Sequence, residues 1–555
     1  MPPPPADSIK SVLDKIEHLR TTPFSKEKIL EYDKKEIFPE EDIRALFKPE
    51  IGLQRMFIPR AYGGLDGSTH DCCAICRAMA GICLGISTAF FSVLLGAEPL
   101  LAGGTETQKK KWLGAIAKGD TLVACAVTEA ESGSNLVAIK TKAEPQFNPG
   151  GNVIGYKING TKKFISTGGY ADFITVLAKT PQGPSFFVVE KGIQGLAQGK
   201  GEEKHGIRAS DTSSLVFNDL FVPHEHLLGD IPGQGLKQAA KVFGYTRLMV
   251  AAMALGAGEK ALEIAQRYAR KRMMFGSPLS AKQGFTHKLI IPNAVRLEAA
   301  TAYIDETAAR FDAGETDLGV EGSIAKLFVS EAADRAADDA MQALGGYGYL
   351  NAFEVEKIKR DVRITRIYEG TSEIQQSIIS TLRWKKTHST KGEFYHSLSR
   401  EMQKIEAVMD DSGCRYYGLA AAALNAVIKL VNDNRLTRKQ HIMFLLADMM
   451  TYVEVGCSLA RKAYTLTQAG DGNAEIIRTV SRIFANKTAL IVARNVQEIV
   501  RGSGVFDQAT ASAFFEAVAL EYLYDSCENI IQSMDTVADT LFKDKNDILI
   551  AAGGL

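Results

Sequence analysis

Apolar residues recur at helical spacing from about residue 8 to about residue 120, alternate in short runs from Thr121 to Pro223, and return to helical spacing for the rest of the chain. SIKSVLDKIEHLR opens the first helical region, FIPRAYGGLDGS is a proline- and glycine-rich loop, and DCCAICRAMAGICLG reads as a helix of small residues. TETQKKKWLGAIAKG is amphipathic, with Thr105 placed as an N-cap and Gly119 near its end. TLVACAVTEA, NVIGYKINGTKKFIS, ADFITVLAKT, PSFFVVEKG and TSSLVFNDLFVP are β-branched and bounded by Gly, Pro, Asn and Asp, which predicts strands. GLKQAAKVFGYTRLMVAAMALGAGEKALEIAQRYARKR is one long helical pattern, and further helices are predicted from Lys282 to Arg310, from Gly322 to Leu344, and after Thr371. Four helices after a β region predict an antiparallel bundle. Several more helical segments fill the chain beyond residue 389.

These patterns predict an α+β fold, mostly α: an N-terminal helical domain over 1–120, a middle β-barrel or sandwich over 121–233, a helical bundle over 234–388, and a helical extension over 389–555. The chain has 555 residues, 46% hydrophobic and 23% charged, with a formal net charge of +0, which is ample for several cores. Balanced charge argues against nucleic acid or acidic membrane as the main partner. From Trp384 onward 19 Lys and Arg face 20 Asp and Glu, where a DNA-binding module needs a basic excess. The basic run Lys109-Lys110-Lys111 is a solvated helix face. Eight cysteines in so long a chain do not make a secreted disulfide framework. Cys73 and Cys76 have metal-ligand spacing beside Cys72 and Cys83, but small residues surround them and no second pair supports a metal, so buried structural thiols are expected and no metal. MPPPPADSIK has no apolar core of a signal peptide, and no run approaches 18 apolar residues. A cytoplasmic location is the expectation.

Arg360–Gln375, RDVRITRIYEGTSEIQ, carries the densest candidate chemistry. Gly370 allows a tight turn at positive φ. Thr371 or Ser372 can cap the helix that follows, and Glu373 in its first turn suits the helix dipole. Glu369 is left at the mouth of the turn with no obvious partner in the sequence. By this stretch alone it reads first as a solvated loop residue, although a carboxylate so placed could be a general base. Other segments are ambiguous by themselves. The Gly133-Ser134 turn reads as a plain loop, the basic helix end at Arg270-Lys271-Arg272 suits the dipole anyway, and Gly345-Gly346-Tyr347-Gly348 follows no strand and so is not a dinucleotide fingerprint.

Taken together and in order, from about residue 60 to about 385, these segments resemble the acyl-CoA dehydrogenase family. The turn Tyr368-Glu369-Gly370-Thr371 resembles that family's catalytic segment, which implies Glu369 as the base. Thr128-Glu129-Ala130-Glu131-Ser132-Gly133-Ser134-Asn135 resembles the loop that touches the flavin ring, implying Val127 and Thr128 at the ring and Gly133 and Ser134 on the diphosphate side. Ala130 stands for the usual Pro and Asn135 for the usual Asp. Gly160–Gly168 resembles the strand whose aromatic covers one flavin face, which implies Phe164, Ile165 and Ser166. Lys204–Thr212 resembles a scaffold stretch in which His205 is a packing or surface residue. Arg272, Phe275 and Gln283 match a motif that serves the neighbouring subunit's cofactor, and Gln342, Gly345 and Gly346 match a glycine turn that approaches phosphate. Thr371 and Glu373 complete the implied cofactor positions.

For the substrate the resemblance implies Phe91, Ser134, Tyr245, Thr246, Arg247, Tyr368 and Gly370. Relatives that keep their base on the long helix place it where this chain has Thr246, which has no carboxylate, so the base role returns to Glu369. The helix Gly81–Ala97 is expected to floor the acyl pocket, with Ser87 and Phe91 setting its depth. The implied function is FAD-dependent α,β-dehydrogenation of an acyl-CoA, with electrons passed to an electron-transfer flavoprotein. A homo-oligomer, dimer or tetramer, is implied, with the cofactor site shared between subunits. The C-terminal extension resembles that of very-long-chain-type members, which allows peripheral membrane contact. Two other functions stay open: a redox-vestigial flavin-containing DNA- or membrane-associated relative, and an acyl-CoA oxidase.

Overall fold

The computed structural model describes residues 6–119 and 121–543, so the proline-rich lead Met1–Pro5 lies outside the described residues. The chain divides into two compact units. The first takes in residues up to Ala257, Ala308–Gly319 and Asn351–Gly370; the second takes in Gly258–Thr307, Val320–Leu350 and the chain from Thr371.

In the first unit, helices Ala6–Leu19, Thr69–Ile82, Leu84–Gly103 and Glu106–Lys118 precede the β domain. The run of small residues makes two helices, not one, because Cys83 is extended at φ −160° between them. The second continues through Pro99 to Gly103, beyond the expected end at Ala97. Helix Glu106–Lys118 begins with the expected cap: Thr105 and Gln108 form a capping box. It ends at Gly119, at φ +97°, where a Cβ would lie 1.9 Å from the Phe47 carbonyl oxygen. Cys72, Cys73, Cys76 and Cys83 form no disulfide and are buried.

The β domain is one seven-stranded sheet. Its strands are β1 (Val123–Ala126), β2 (Lys142–Phe147), β3 (Val153–Ser166), β4 (Phe173–Thr180), β5 (Gly183–Glu190), β6 (Leu196–Gln198) and β7 (Thr212–Pro223). They run in the order β1-β4-β2-β3-β7-β6, with β5 paired to β4. Inward residues of β1, β3, β4, β5 and β7, among them Ala124, Ile158, Val176, Phe187 and Leu220, share one core. Strands β2 and β6 were not expected. Pro145 inside β2 argues against a strand, and is tolerated because β2 meets β4 only at Lys142. A register shift between Lys162 and Ile165 bulges β3 at Phe164.

A buried ion pair fastens β1 to β3. Lys162 Nζ donates to the Val127 carbonyl at 2.8 Å and to Glu129 Oε1 at 2.9 Å. Burial raises the pKa of Glu129, but hydrogen bonds from Thr141, Lys140 and Lys162 outweigh it and hold the carboxyl down at about 2.

Among the described residues, the regular elements of the second unit are helical apart from the short hairpin Met273–Met274/Ser277–Pro278. Its bundle helices include Ile291–Asp312 and Gly319–Leu344 in large part, and Ser372–Ser389, capped as expected by Thr371. Helices Glu393–Glu406, Cys414–Asp433, Gln440–Ala469, Ala474–Gly502, Gln508–Ala517 and Ile530–Lys543 make the extension. Arg383 joins extension to bundle, bonding Glu321 at 2.9 Å and Glu454 at 2.8 Å, and Tyr395 donates to Glu454 at 2.9 Å. Arg461 reaches both Glu306 and Glu401, and Lys462 reaches Glu298 at 2.7 Å.

Among the described residues two helices, Leu84–Gly103 and Gln440–Ala469, are long and apolar enough to cross a membrane. That corrects the reading that no run approaches this size. Each has 83% of its apolar window buried in the protein, as core helices do.

Candidate active site

Tyr368, Glu369 and Gly370 follow helix Glu354–Val362 and a tight turn Arg363–Arg366. The sequence reading missed this helix, whose charges mask its period. Its charged residues anchor it: Asp361 accepts from the Ile207 backbone N–H at 2.6 Å, and Arg360 bonds Asp33 at 2.6 Å and Glu356 at 2.8 Å. From this base the chain enters the turn with Gly370 at φ +89°, as expected, and Glu369 itself at φ +56°. A left-handed glutamate costs about 1–2 kcal/mol. Such a conformation persists where surrounding structure enforces it, and it points to function.

Glu369 is half-buried and is not without a partner, contrary to the sequence reading. The Thr246 hydroxyl, 1% exposed, donates to Glu369 Oε2 at 3.1 Å. Arg247 follows on the same helix, its guanidinium 5.9 Å from the Phe243 ring centre. Burial lowers the pKa of Arg247, and the Glu369 carboxylate opposes that shift. Thr246 and Arg247, expected at the substrate, therefore sit against the candidate base. Their spacing from Glu369, 123 residues in the first case, is why the sequence alone paired neither with it. Tyr245 packs edge-on against Phe311 at 5.8 Å, and Phe91 is buried in helix Leu84–Gly103.

The same unit presents an open edge. At the end of β1, Val127 is buried and Thr128 half-buried. The Thr128 carbonyl accepts from the Lys163 backbone N–H at 2.9 Å, which ties the two motifs together. Beyond it, Glu129 and Ser132 exchange backbone hydrogen bonds at 3.0 and 3.2 Å, so Ala130 does not loosen the turn as a missing proline would suggest. Gly133 and Ser134 are exposed. Phe164, on the bulge at φ +61°, is 60% exposed, and Ser166 is half-buried. Ile165 turns its side chain into the sheet core, which leaves its backbone alone for cofactor contact. Cys125 in β1 lies within electrostatic reach of both Glu369 and Lys162. A flat exposed ring, hydroxyls and a glycine turn fit an isoalloxazine and its ribityl chain: one face needs an apolar surface, and the ring's N1–C2 edge needs donors.

The second unit carries the other candidates. Arg272 is exposed beside the hairpin turn, where Phe275 and Gly276 have φ +49° and +80° and Phe275 is 90% exposed. Gln283 donates to Asp535 of the extension at 2.9 Å. Gln342, Gly345 and Gly346 are exposed, and no heavy atom lies within 4 Å of a Cβ built on either glycine, the open backbone that approach to a phosphate requires. Thr371 accepts from the Ile374 N–H at 3.4 Å as a helix cap, and Glu373 is exposed in the first turn. His205 is exposed, a surface histidine as read.

Comparison with known proteins draws these observations together. Residues 22–120, 124–220 and 233–381 match the N-terminal, middle and C-terminal domains of acyl-CoA dehydrogenase. An acyl-CoA dehydrogenase of Bacillus subtilis (strain 168) is 39% identical over 360 residues, 63% of this chain and 90% of that protein. Butyryl-CoA dehydrogenase from Megasphaera elsdenii is 32% identical with a TM-score of 0.64, covering 69% of this chain and 99% of its own. An acyl-CoA dehydrogenase complexed with FAD from Bacillus anthracis, 24% identical, has a TM-score of 0.85 and covers 98% of this chain and 96% of its own, so its fold includes the extension. Matches to all three domains in order define a flavin-dependent oxidoreductase. The chain belongs to the acyl-CoA dehydrogenase family, is an enzyme of that kind, and uses FAD.

Proposed function

We propose that this enzyme α,β-dehydrogenates an acyl-CoA thioester to the 2-enoyl-CoA, with Glu369 as the base that removes the α-proton. The observation that carries the reading is the left-handed Glu369, its carboxylate held by the Thr246 hydroxyl at 3.1 Å. That bond fixes the orientation of the carboxylate. Val127, Thr128, Phe164 and Ser166 would hold the flavin ring, with Gly133 and Ser134 on the diphosphate side. FAD, when bound, supplies the acceptor for the two electrons that leave the β-carbon. Phe91, Tyr245 and Tyr368 would enclose the acyl group, and donors aimed at the thioester oxygen would each contribute about 2.7–4 kcal/mol to the enolate.

Electrons would pass to an electron-transfer flavoprotein. Arg272, Phe275 and Gln283 would serve the cofactor of a neighbouring copy in a homo-oligomer, and Gln342, Gly345, Gly346, Thr371 and Glu373 would complete the cofactor positions. The extension would be of the very-long-chain type. The test is Glu369→Gln. It should bind FAD and stay yellow, yet lose anaerobic bleaching by acyl-CoA by about 100-fold or more. Near-normal turnover would refute the assignment, and peroxide formation in air by the unaltered enzyme would indicate an oxidase instead.

A further inference from the structure

Cys83 stands at the break between helices Thr69–Ile82 and Leu84–Gly103, and its backbone is bonded to both. Its N–H donates to the Met79 carbonyl at 3.1 Å, and its carbonyl accepts from the Ser87 N–H at 2.9 Å. Two helices therefore fix where its side chain starts. The thiol is buried, and the equally buried Lys357 amine donates to Cys83 Sγ at 3.2 Å, across 274 residues of chain. Lys357 is held in turn. It pairs with Asp361 Oδ2 one turn further along helix Glu354–Val362, and Asp361 Oδ1 accepts from the Ile207 N–H at 2.6 Å. Lys357 thus has a counter-ion in Asp361, and the sulfur is not needed to offset its burial.

An amine and a thiol held together in this way are poised to react. A thiol oxidised to a sulfenic acid becomes an electrophile at sulfur, and nitrogen condenses with it to a sulfenamide. Reacting atoms about 3–3.5 Å apart are in near-attack range, and the Nζ–Sγ separation of 3.2 Å lies within it.

We propose that Cys83 and Lys357 form a modification site, at which hydrogen peroxide drives a sulfur–nitrogen link that thiols reverse. Peroxide oxidises the thiol by two electrons and is itself reduced: an S–O bond forms, the O–O bond breaks, and one water leaves the Cys83 sulfenic acid behind. Lys357 Nζ then gives one proton to the Asp361 carboxylate and attacks Sγ. The S–O bond breaks, the departing hydroxide takes a second proton from Nζ as water, and an S–N bond remains. Lysine loses its charge as Asp361 gains a proton, so no unpaired charge is left buried. Capture by the amine also stops the sulfenic acid from advancing to the irreversible sulfinic acid. Peroxide is close to water in size, and a local opening at the helix break admits it. In the reverse direction a thiol attacks Sγ and returns the amine to Lys357, and a second thiol frees Cys83 as the reductant becomes a disulfide. None of this depends on the dehydrogenation reading.

The experiment treats the full-length, FAD-loaded enzyme with hydrogen peroxide, alkylates the remaining thiols, digests without reductant and weighs the peptides. The peptides that hold Cys83 and Lys357 should appear joined, two hydrogens lighter than their sum, and should separate after dithiothreitol. Cys527, which is exposed and has only the Asn486 amide nitrogen near its sulfur at 3.3 Å, reports that peroxide has acted, because an amide nitrogen is a poor nucleophile. Cys83→Ser should abolish the joined pair. Lys357→Arg, which keeps a cation for Asp361 but has no free amine, should also abolish it and let Cys83 advance to the sulfinic acid. If either variant fails to fold, the unaltered enzyme decides. Cys83 found unreacted while Cys527 is oxidised, or found as a sulfinic acid or in a disulfide with another cysteine, overturns the proposal, as does a joined pair that dithiothreitol leaves intact.

Discussion

Lys162→Met tests whether the Glu129–Lys162 pair holds the flavin edge in place. Both side chains are out of solvent, at 0% and 8% exposure, and Lys162 bridges Glu129 to the Val127 carbonyl. Removing the lysine leaves a buried carboxylate with no counter-ion and a buried carbonyl without one donor, a loss of about 3–5 kcal/mol. The wild-type carboxyl gives a similar scale: a fall from the ordinary 4.5 to about 2 corresponds to about 3 kcal/mol in favour of the folded, ionised state. Because the folded value is the lower one, that contribution is present above pH about 4.5 and disappears as pH falls toward 2. The Lys162→Met deficit should therefore be full at pH 7 and shrink in acid, where the orphaned Glu129 protonates. Thermal melts of FAD-loaded and FAD-free protein at a series of pH values supply the measurement. Glu129→Leu with Lys162→Met should recover most of the loss, since an apolar pair replaces a buried ionic one at little cost. A single variant within about 1 kcal/mol of wild type at pH 7, or a deficit independent of pH, would refute the reasoning.

Thr246→Val removes a hydrogen bond to a charged group, worth about 1.5–3 kcal/mol; kcat/KM should fall by about 10-fold or more, and Thr246→Ser should restore it. Phe275→Ala should leave the melting temperature unchanged, because the ring is 90% exposed, while weakening FAD retention on a desalting column. Gly119→Ala places a Cβ 1.9 Å from the Phe47 carbonyl oxygen at φ +97° and should destabilise the first unit by more than about 1 kcal/mol, read by chemical denaturation. Arg383→Met strands Glu321 and Glu454 in the interior and should cost about 3–5 kcal/mol, seen as early proteolysis of the second unit.

The sequence carried the order of helical, β and helical regions because each switch of period spans tens of residues. The Thr105 and Thr371 caps were legible because a cap is local chemistry. Strand β2 was hidden by Pro145, and helix Glu354–Val362 by its charges. The partner of Glu369 was hidden for another reason: Thr246 lies 123 residues away, and no pattern along a chain reports a contact made by folding. The left-handed backbone of Glu369 and Phe164 was equally invisible, since neither residue type favours positive φ. The site's residue types could be read, whereas its strain and electrostatics required coordinates.

Arg383 lies on the last helix of the family's own domain, yet one of its two acidic partners, Glu454, belongs to the added helices. A shorter descendant that ended after residue 388 would keep the guanidinium and lose half its counter-charge, along with the Tyr395 phenol that completes the cluster. Removing the helices beyond residue 388 therefore takes Glu454 and Tyr395 from the guanidinium in one step and leaves it Glu321 alone. In lineages that carry this C-terminal addition, position 383 and position 454 should change hands as a pair.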